Sequence, residues 1–211
     1  MQTEITSSPL WPRYAMNSIP RISPASILRC RQGVALIEFA LTLPILILLF
    51  LGAVELTRFA ILHQKLDKAA GAMADFVTQA NSISDSDLDA FADAVAQIMG
   101  PFGYSGTVVF SSVLVTNTPI APCTGSNAAC ISWQRAKLGG DASKIGSEGG
   151  NAILPSGFDL QDGQNIIVAE VYFDYDPLLP ATGALIPALT AQKLYKVAVY
   201  KPRLGLLTQL D

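Results

Sequence analysis

The side chains in this sequence that could do chemistry fall into four small groups. The first is Gly33 and Glu38: a small residue behind the basic Arg29 and Arg31, then a carboxylate five positions on, inside the start of a long apolar run. Glycine offers a peptidase an unhindered backbone at a membrane face. A carboxylate in an apolar span is costly, which makes it a functional site by default. The second group is Glu170, Asp174 and Asp176, spaced so that alternate residues share one face of a strand. They are either a carboxylate set for acid–base work or the solvent side of a half-buried sheet, and alternating polar positions are the ordinary mark of the latter. The third is Cys123 and Cys130, in a loop of Pro, Gly, Ser and Asn. The fourth is His63, the only histidine, with no serine or cysteine nucleophile near it in sequence. It reads as a surface or interfacial residue rather than a base.

Other constellations fail on spacing. Asp85, Asp87 and Asp89 suggest a calcium loop, but its sixth position would be Ala90 and its twelfth Ala96, where glycine and glutamate belong. Stabilising a helix N-terminus explains these acids better. Two neighbouring thiols and a remote His63 do not make a zinc site. Gly139-Gly140 and Gly149-Gly150 lack the Gly-Lys-Ser/Thr of a phosphate cradle. A net charge of -3 and the absence of a Lys/Arg cluster argue against nucleic acid as a partner. Nothing here demands an enzyme, a metal or a cofactor.

The first group is positioned by a helix. The stretch from Val34 to Val54 is apolar apart from Glu38 and Thr42, and a bilayer core takes about 20 such residues to cross. A secretory signal has a shorter apolar region followed by a small-residue cleavage site, whereas here Glu55-Leu56-Thr57-Arg58 runs straight on into a helical pattern. Pro44 falls inside the span and should bend it. Phe59, Leu62, Leu66, Ala69, Met73, Phe76 and Ala80 then follow at alternating steps of three and four, one apolar stripe on a helix. One helix over 34–80 is predicted, its first half in lipid and its second packed on a sheet; a coiled coil with a partner is the other use of such a stripe, but the repeat is short.

Beyond Ala80 the pattern is mixed. Ser84-Asp85-Ser86-Asp87 followed by Leu88, Phe91, Val95 and Ile98 predicts a capped amphipathic helix ending at Gly100-Pro101. Strands are predicted at Thr107 to Thr116, more weakly at Ile131 to Arg135, then at Asn165 to Tyr175 and Leu194 to Tyr200, separated by Gly/Pro/Ser loops. The fold class is α+β: a long N-terminal transmembrane helix continues into a small domain whose antiparallel sheet packs on the helix's extramembrane half. The expected divisions are 1–33 as a leader, 34–54 as the span, 55–80 as the extramembrane helix and 81–211 as the α+β domain.

Residues 1–33 are rich in Pro, Ser and Arg without apolar periodicity, a composition that cannot offset chain entropy by burial. Met16 is an alternative initiator that would shorten this segment to about half. Basic residues near the span tie, with Arg21, Arg29 and Arg31 before it and Arg58, Lys65 and Lys68 after it. The cysteines tip the balance. A Cys123–Cys130 loop suits an oxidising compartment and would constrain the unfolded chain by roughly 2–3 kcal/mol. Cleavage after Gly33 would also remove Cys30 and leave an even pair. An N-in, C-out protein of a bacterial inner membrane fits.

The stretch Arg31 to Asp75 carries Gly33, the Glu38-Phe39-Ala40-Leu41 core, Pro44, Glu55 and Arg58, then Gln64, Ala69 and Ala70. It resembles the TadE-like family of the tight-adherence (Flp) pilus system, and Tyr172 to Pro177 loosely resembles that family's C-terminal strands. The resemblance implies a minor pilin or pseudopilin anchored in the inner membrane, cut by an aspartic prepilin peptidase between Gly33 and Val34, and needed for pilus assembly, adhesion or secretion. Its implied partners are the peptidase, other pilins, the assembly platform and the membrane. The chain departs from the family in a long leader and in Phe39, where several relatives have tyrosine. Cleavage would leave an α-amine on Val34 one helical turn from Glu38, and Glu38 with Phe39 would set register against neighbouring subunits. The alternative is an unprocessed bitopic membrane protein with a periplasmic binding domain. A membrane-tethered hydrolase using Glu170, Asp174 or Asp176 is a third reading.

Overall fold

The computed structural model describes residues 31–116, 128–155, 160–178 and 186–210, with positions 123, 157 and 183. The expected leader up to Cys30, with Met16, lies outside the described residues. The chain forms two units, one ending at Leu49 and the other running from Phe50.

Helix α1 (Arg31–Thr78) begins in the first unit and ends in the second. Within the first unit its apolar side chains are exposed on every face: Val34, Leu36, Ile37, Phe39, Leu41, Ile45, Leu46, Leu48 and Leu49 all lack a covering layer. A helix that is apolar all round has no solvated face to present to water, and this one is long and apolar enough to cross a membrane. Pro44 stands inside it. The Thr42 hydroxyl donates to the Phe39 carbonyl at 3.2 Å, so its polar atom is satisfied within the helix.

The second unit is an α+β domain. Its sheet is antiparallel throughout, in the order β2-β1-β3-β4, with β1 (Val108–Thr116), β2 (Ala128–Lys137), β3 (Asn165–Tyr175) and β4 (Gln192–Tyr200). Helix α2 (Asp85–Met99) opens on a capping box: the Asp87 backbone N–H donates to Ser84 Oγ and the Ser84 backbone N–H donates to the Asp87 carboxylate at 2.9 Å. At its other end Lys65 Nζ donates to the Ile98 carbonyl at 2.9 Å, tying α2 to α1.

One face of the sheet carries the main core. Leu62, Leu66, Ala69, Met73 and Val77 of α1 join Leu88 and Val95 of α2 against Phe110, Trp133, Ile167, Val171 and Phe173. The stripe on α1 therefore packs on the sheet, but it leaves the expected path. After Met73 it continues through Ala74 and Val77, while Phe76 stays partly exposed, its ring 5.6 Å from that of Phe91, and Ala80 lies past the helix end. A strict 3-4 alternation drifts around a straight helix of 3.6 residues per turn, so the buried line takes a second step of four.

The other face is covered too. Val113, Ile131, Ile166 and Val168 pack under Ile145, Ala152, Leu154 and Leu160 from the long connection between β2 and β3. That second layer makes β3 almost continuously buried. β2 is longer than the predicted Ile131 to Arg135, and an extra residue at Ser132 forms a bulge opposite Ser112 and Val113. The bulge sends Ile131 and Trp133 to opposite cores.

Candidate functional site

Gly33, Val34, Glu38 and Phe39 all lie in α1. Val34 and Phe39 are more than half exposed and Glu38 is exposed. Val34 and Glu38 stand four residues apart on one helical face, about 6 Å along the axis at about 1.5 Å per residue. Among the described residues no side chain pairs with Glu38. The geometry presents a carboxylate on an apolar helix one turn from the Gly33–Val34 peptide bond.

A second polar constellation lies where the apolar run ends. Glu55 is 1% exposed although it directly follows Val54. Tyr175 Oη donates to Glu55 Oε1 at 2.5 Å and the Leu178 backbone N–H donates to Oε2 at 3.2 Å. Arg58 lies 3.5 Å from the same carboxylate and donates to the Asp176 carbonyl at 2.9 Å. Its guanidinium sits over the rings of Phe102 and Tyr175 at 5.8 and 5.9 Å. The end of β3 is thus fastened to the first helical turn beyond the run. Within the resemblance Glu55 and Arg58 are motif positions only; their role escapes a residue-by-residue reading. Its signal is nevertheless present, because steps of four, three and four from Glu55 reach Phe59, Leu62 and Leu66. A carboxylate on the buried stripe needs buried partners.

The three strand carboxylates do not form a pair. Glu170 is fully buried, which corrects the solvent-face reading for this residue. Ser143 Oγ donates to it, as do the Lys144 backbone N–H at 2.9 Å and Tyr195 Oη at 2.8 Å; Tyr172 Oη lies 3.3 Å away and has the Ala142 carbonyl nearer, at 2.9 Å. The connection around 141–145 closes over it, so its oxygens are saturated by fixed donors rather than open to a substrate. Asp174 is exposed and lies 3.3 Å from Lys193, and Asp176 is exposed and contributes its carbonyl to Arg58.

The remaining candidates have structural partners. Asp85 and Asp89 hold Lys137 of β2 at 2.7 and 2.8 Å, while Asp87 serves the capping box, whose Ser84 hydrogen bonds keep its carboxyl below the usual range. His63 is half-buried, its Nδ1 3.1 Å from the Phe59 carbonyl and its ring centroid 4.3 Å from that of Phe59. Cys123 and Cys130 are joined, with Cα atoms 5.8 Å apart. Among the described residues no group of three His, Cys, Asp or Glu side chains could hold a metal ion.

Four tyrosines report on these clusters. Burial, then the Glu55 hydrogen bond, pushes the Tyr175 phenol well above its ordinary range. Burial, then Glu170, does the same for Tyr172 and Tyr195, and burial followed by the charge of Asp141 does so for Tyr104. With folded values raised, their contribution to stability is complete below the unfolded value of about 10 and falls as pH climbs above it, because the unfolded chain releases these protons first. On alkaline titration most of the phenolate absorbance should appear only with the loss of circular dichroism. Full phenolate absorbance with a native spectrum would contradict these environments.

The model of the family described as TadE-like protein matches residues 33–75. The match covers Gly33, Glu38, Glu55 and most of the stripe of α1, and agrees with the resemblance carried by those residues. With the candidate span the match fits a membrane protein related to the tight-adherence pilus. None of the curated proteins and none of the solved structures matches the chain.

Proposed function

We propose that this chain is a minor pilin or pseudopilin of a tight-adherence pilus system. Residues 34–54 hold it in a bacterial inner membrane, the domain from residue 81 onward lies in the periplasm, and a prepilin peptidase cuts after Gly33. The observation that carries the reading is α1 itself: one helix that keeps the Gly33–Val34 bond, Glu38 and the apolar run in fixed register, within the matched residues. The joined Cys123 and Cys130 support an oxidising compartment for the domain.

In this reading the cut leaves a charged amine on Val34, one turn from Glu38. An acid at the bilayer centre costs about 2.5–3.5 kcal/mol on insertion scales and less near the interface. Pairing with the amine of the same chain or of a neighbouring subunit offsets that cost. Because the pair forms only when amine and carboxylate share one level, it fixes the axial register of packed spans, with Phe39 filling the adjacent lipid-facing contact. Replacing Glu38 with Gln removes the charge and keeps the shape. The variant should reach the membrane in normal amount yet give few or no filaments, as scored by electron microscopy of cells. Normal piliation in Glu38→Gln would reject the role of this pair.

A further inference from the structure

Strand β4 forms one edge of the sheet, and alternate residues of its main chain have no partner. Beside β1, the Tyr172 and Asp174 backbone N–H groups of β3 donate at 2.8 Å to the Thr107 and Ser105 carbonyls. Even-numbered residues of β3 therefore direct their main-chain groups toward β1 and odd-numbered ones toward β4, where Val171 faces Lys196 and Ala169 faces Ala198. The even-numbered residues of β4 close that ladder. The N–H and C=O groups of Lys193, Tyr195, Val197 and Val199 point off the sheet, and among the described residues none of them is hydrogen-bonded. Such a row is a template for another strand. The two sides of this edge differ. On one, Val197 and Val199 are partly buried against the second core cluster. On the other, β4 and the residues after it lie along α1: Asp67 and Asp75 pair with Lys196 and Arg203, and the Tyr200 hydroxyl comes to Gly71 between them. An open groove of about 610 Å³ follows this seam. Its acids are thus already paired, whereas Lys68 and the Tyr200 hydroxyl, which also line it, have no hydrogen-bond or ion-pair partner among the described residues.

We propose that β4 takes up an extended segment of a partner protein as one more antiparallel strand, and that this segment alternates apolar and acidic residues. Directly opposed residues of an antiparallel pair share a face. The partner's residues opposite Tyr195, Val197 and Val199 then lie beside apolar neighbours, and the residues between them point into the groove toward Lys68 and Tyr200. Main-chain hydrogen bonds supply the affinity of such strand addition, and the alternate side chains supply its specificity. A second copy of this chain fits less well. Self-pairing in the register that uses all of the free groups is centred on Val197 and sets Lys193 opposite Lys201 at both ends, and like charges directly opposite are destabilising. The proposal concerns the domain alone and holds whether or not the chain is cut after Gly33.

The full chain in non-ionic detergent, without reductant so that Cys123 and Cys130 stay joined, is titrated into a fluorescein-labelled peptide of alternating valine and glutamate as long as β4, nine residues. Fluorescence anisotropy should show saturable binding. N-methylation of the valines, whose main-chain groups would face β4, should weaken it at least about tenfold, the scale of losing main-chain hydrogen bonds. N-methylation of the glutamates, whose N–H groups would face away, should change it much less, and exchanging the glutamates for lysine should weaken it. Val197→Pro removes one outward N–H without touching the ladder to β3 and should lose binding while keeping a native circular dichroism spectrum. Should that variant fold poorly, the two N-methylated peptides put the same question to the unaltered protein. No saturable binding of the valine–glutamate peptide, or equal binding of both N-methylated forms, would overturn the proposal. So would a dimer in analytical ultracentrifugation that Val197→Pro dissolves, which would give the edge to a second copy.

Discussion

Replacing Gly33 with leucine is expected to leave the leader attached to essentially all of the protein, seen as one larger species on a gel in place of the trimmed form. A protease must lay the bond between residues 33 and 34 against its catalytic groups, and a branched side chain beside that bond obstructs the approach that glycine leaves open. Val34 and the residues after it are unchanged, so the span is intact and the protein still fractionates with the membrane. Gly33→Ala, with a single methyl, should be cut more slowly but not blocked. The variant also separates the two anchored readings. If Gly33 is only an uncut residue of α1, its replacement changes nothing, and wild type and Gly33→Leu migrate together.

The second large effect is expected at Glu55. Glu55→Ala leaves Tyr175 Oη and the Leu178 N–H without their acceptor and Arg58 without its carboxylate. Each buried donor left without its acceptor costs about 1–3 kcal/mol, while Arg58, partly open to water, keeps the Asp176 carbonyl, so a total loss of about 2–4 kcal/mol is expected. Tyr175→Phe removes a single hydrogen bond to the same group and should cost about 1.5–3 kcal/mol. Chemical denaturation of the full chain in detergent, followed by circular dichroism of the domain, measures both. In the double variant the losses should fall well short of their sum, since the two changes delete one contact. A cost below about 1 kcal/mol for Glu55→Ala would place this residue with ordinary surface substitutions instead.

The sequence is most legible where one pattern dominates. Helix α1, the Ser84 capping box and three of the four strands are predicted within about three residues because period, cap and β-branched content agree at each. Two of the departures lie on the sheet. Ile145, Ala152, Leu154 and Leu160 are scattered through a Gly/Ser connection with no period, so nothing local announces that they roof the second face of the sheet. Without that roof Glu170 reads as a solvated carboxylate; with it, the same residue is a buried acceptor for Ser143, the Lys144 backbone N–H and Tyr195. The bulge at Ser132 hides the extent of β2 in a similar way, because an extra residue breaks the alternation that marks a strand. Glu55 is a different case. Its place on the stripe is readable, but its partners Tyr175 and Leu178 are 120 residues or more away, and only the folded chain brings them to it.

All of the functional account depends on where the mature polypeptide begins. Protein recovered from the cell membrane, analysed intact by mass spectrometry and by N-terminal sequencing, is expected to start at Val34. A preparation that starts at Met1 or Met16, with the segment through Gly33 still joined, would contradict the account and leave an anchored domain with no trimmed amine to pair with Glu38.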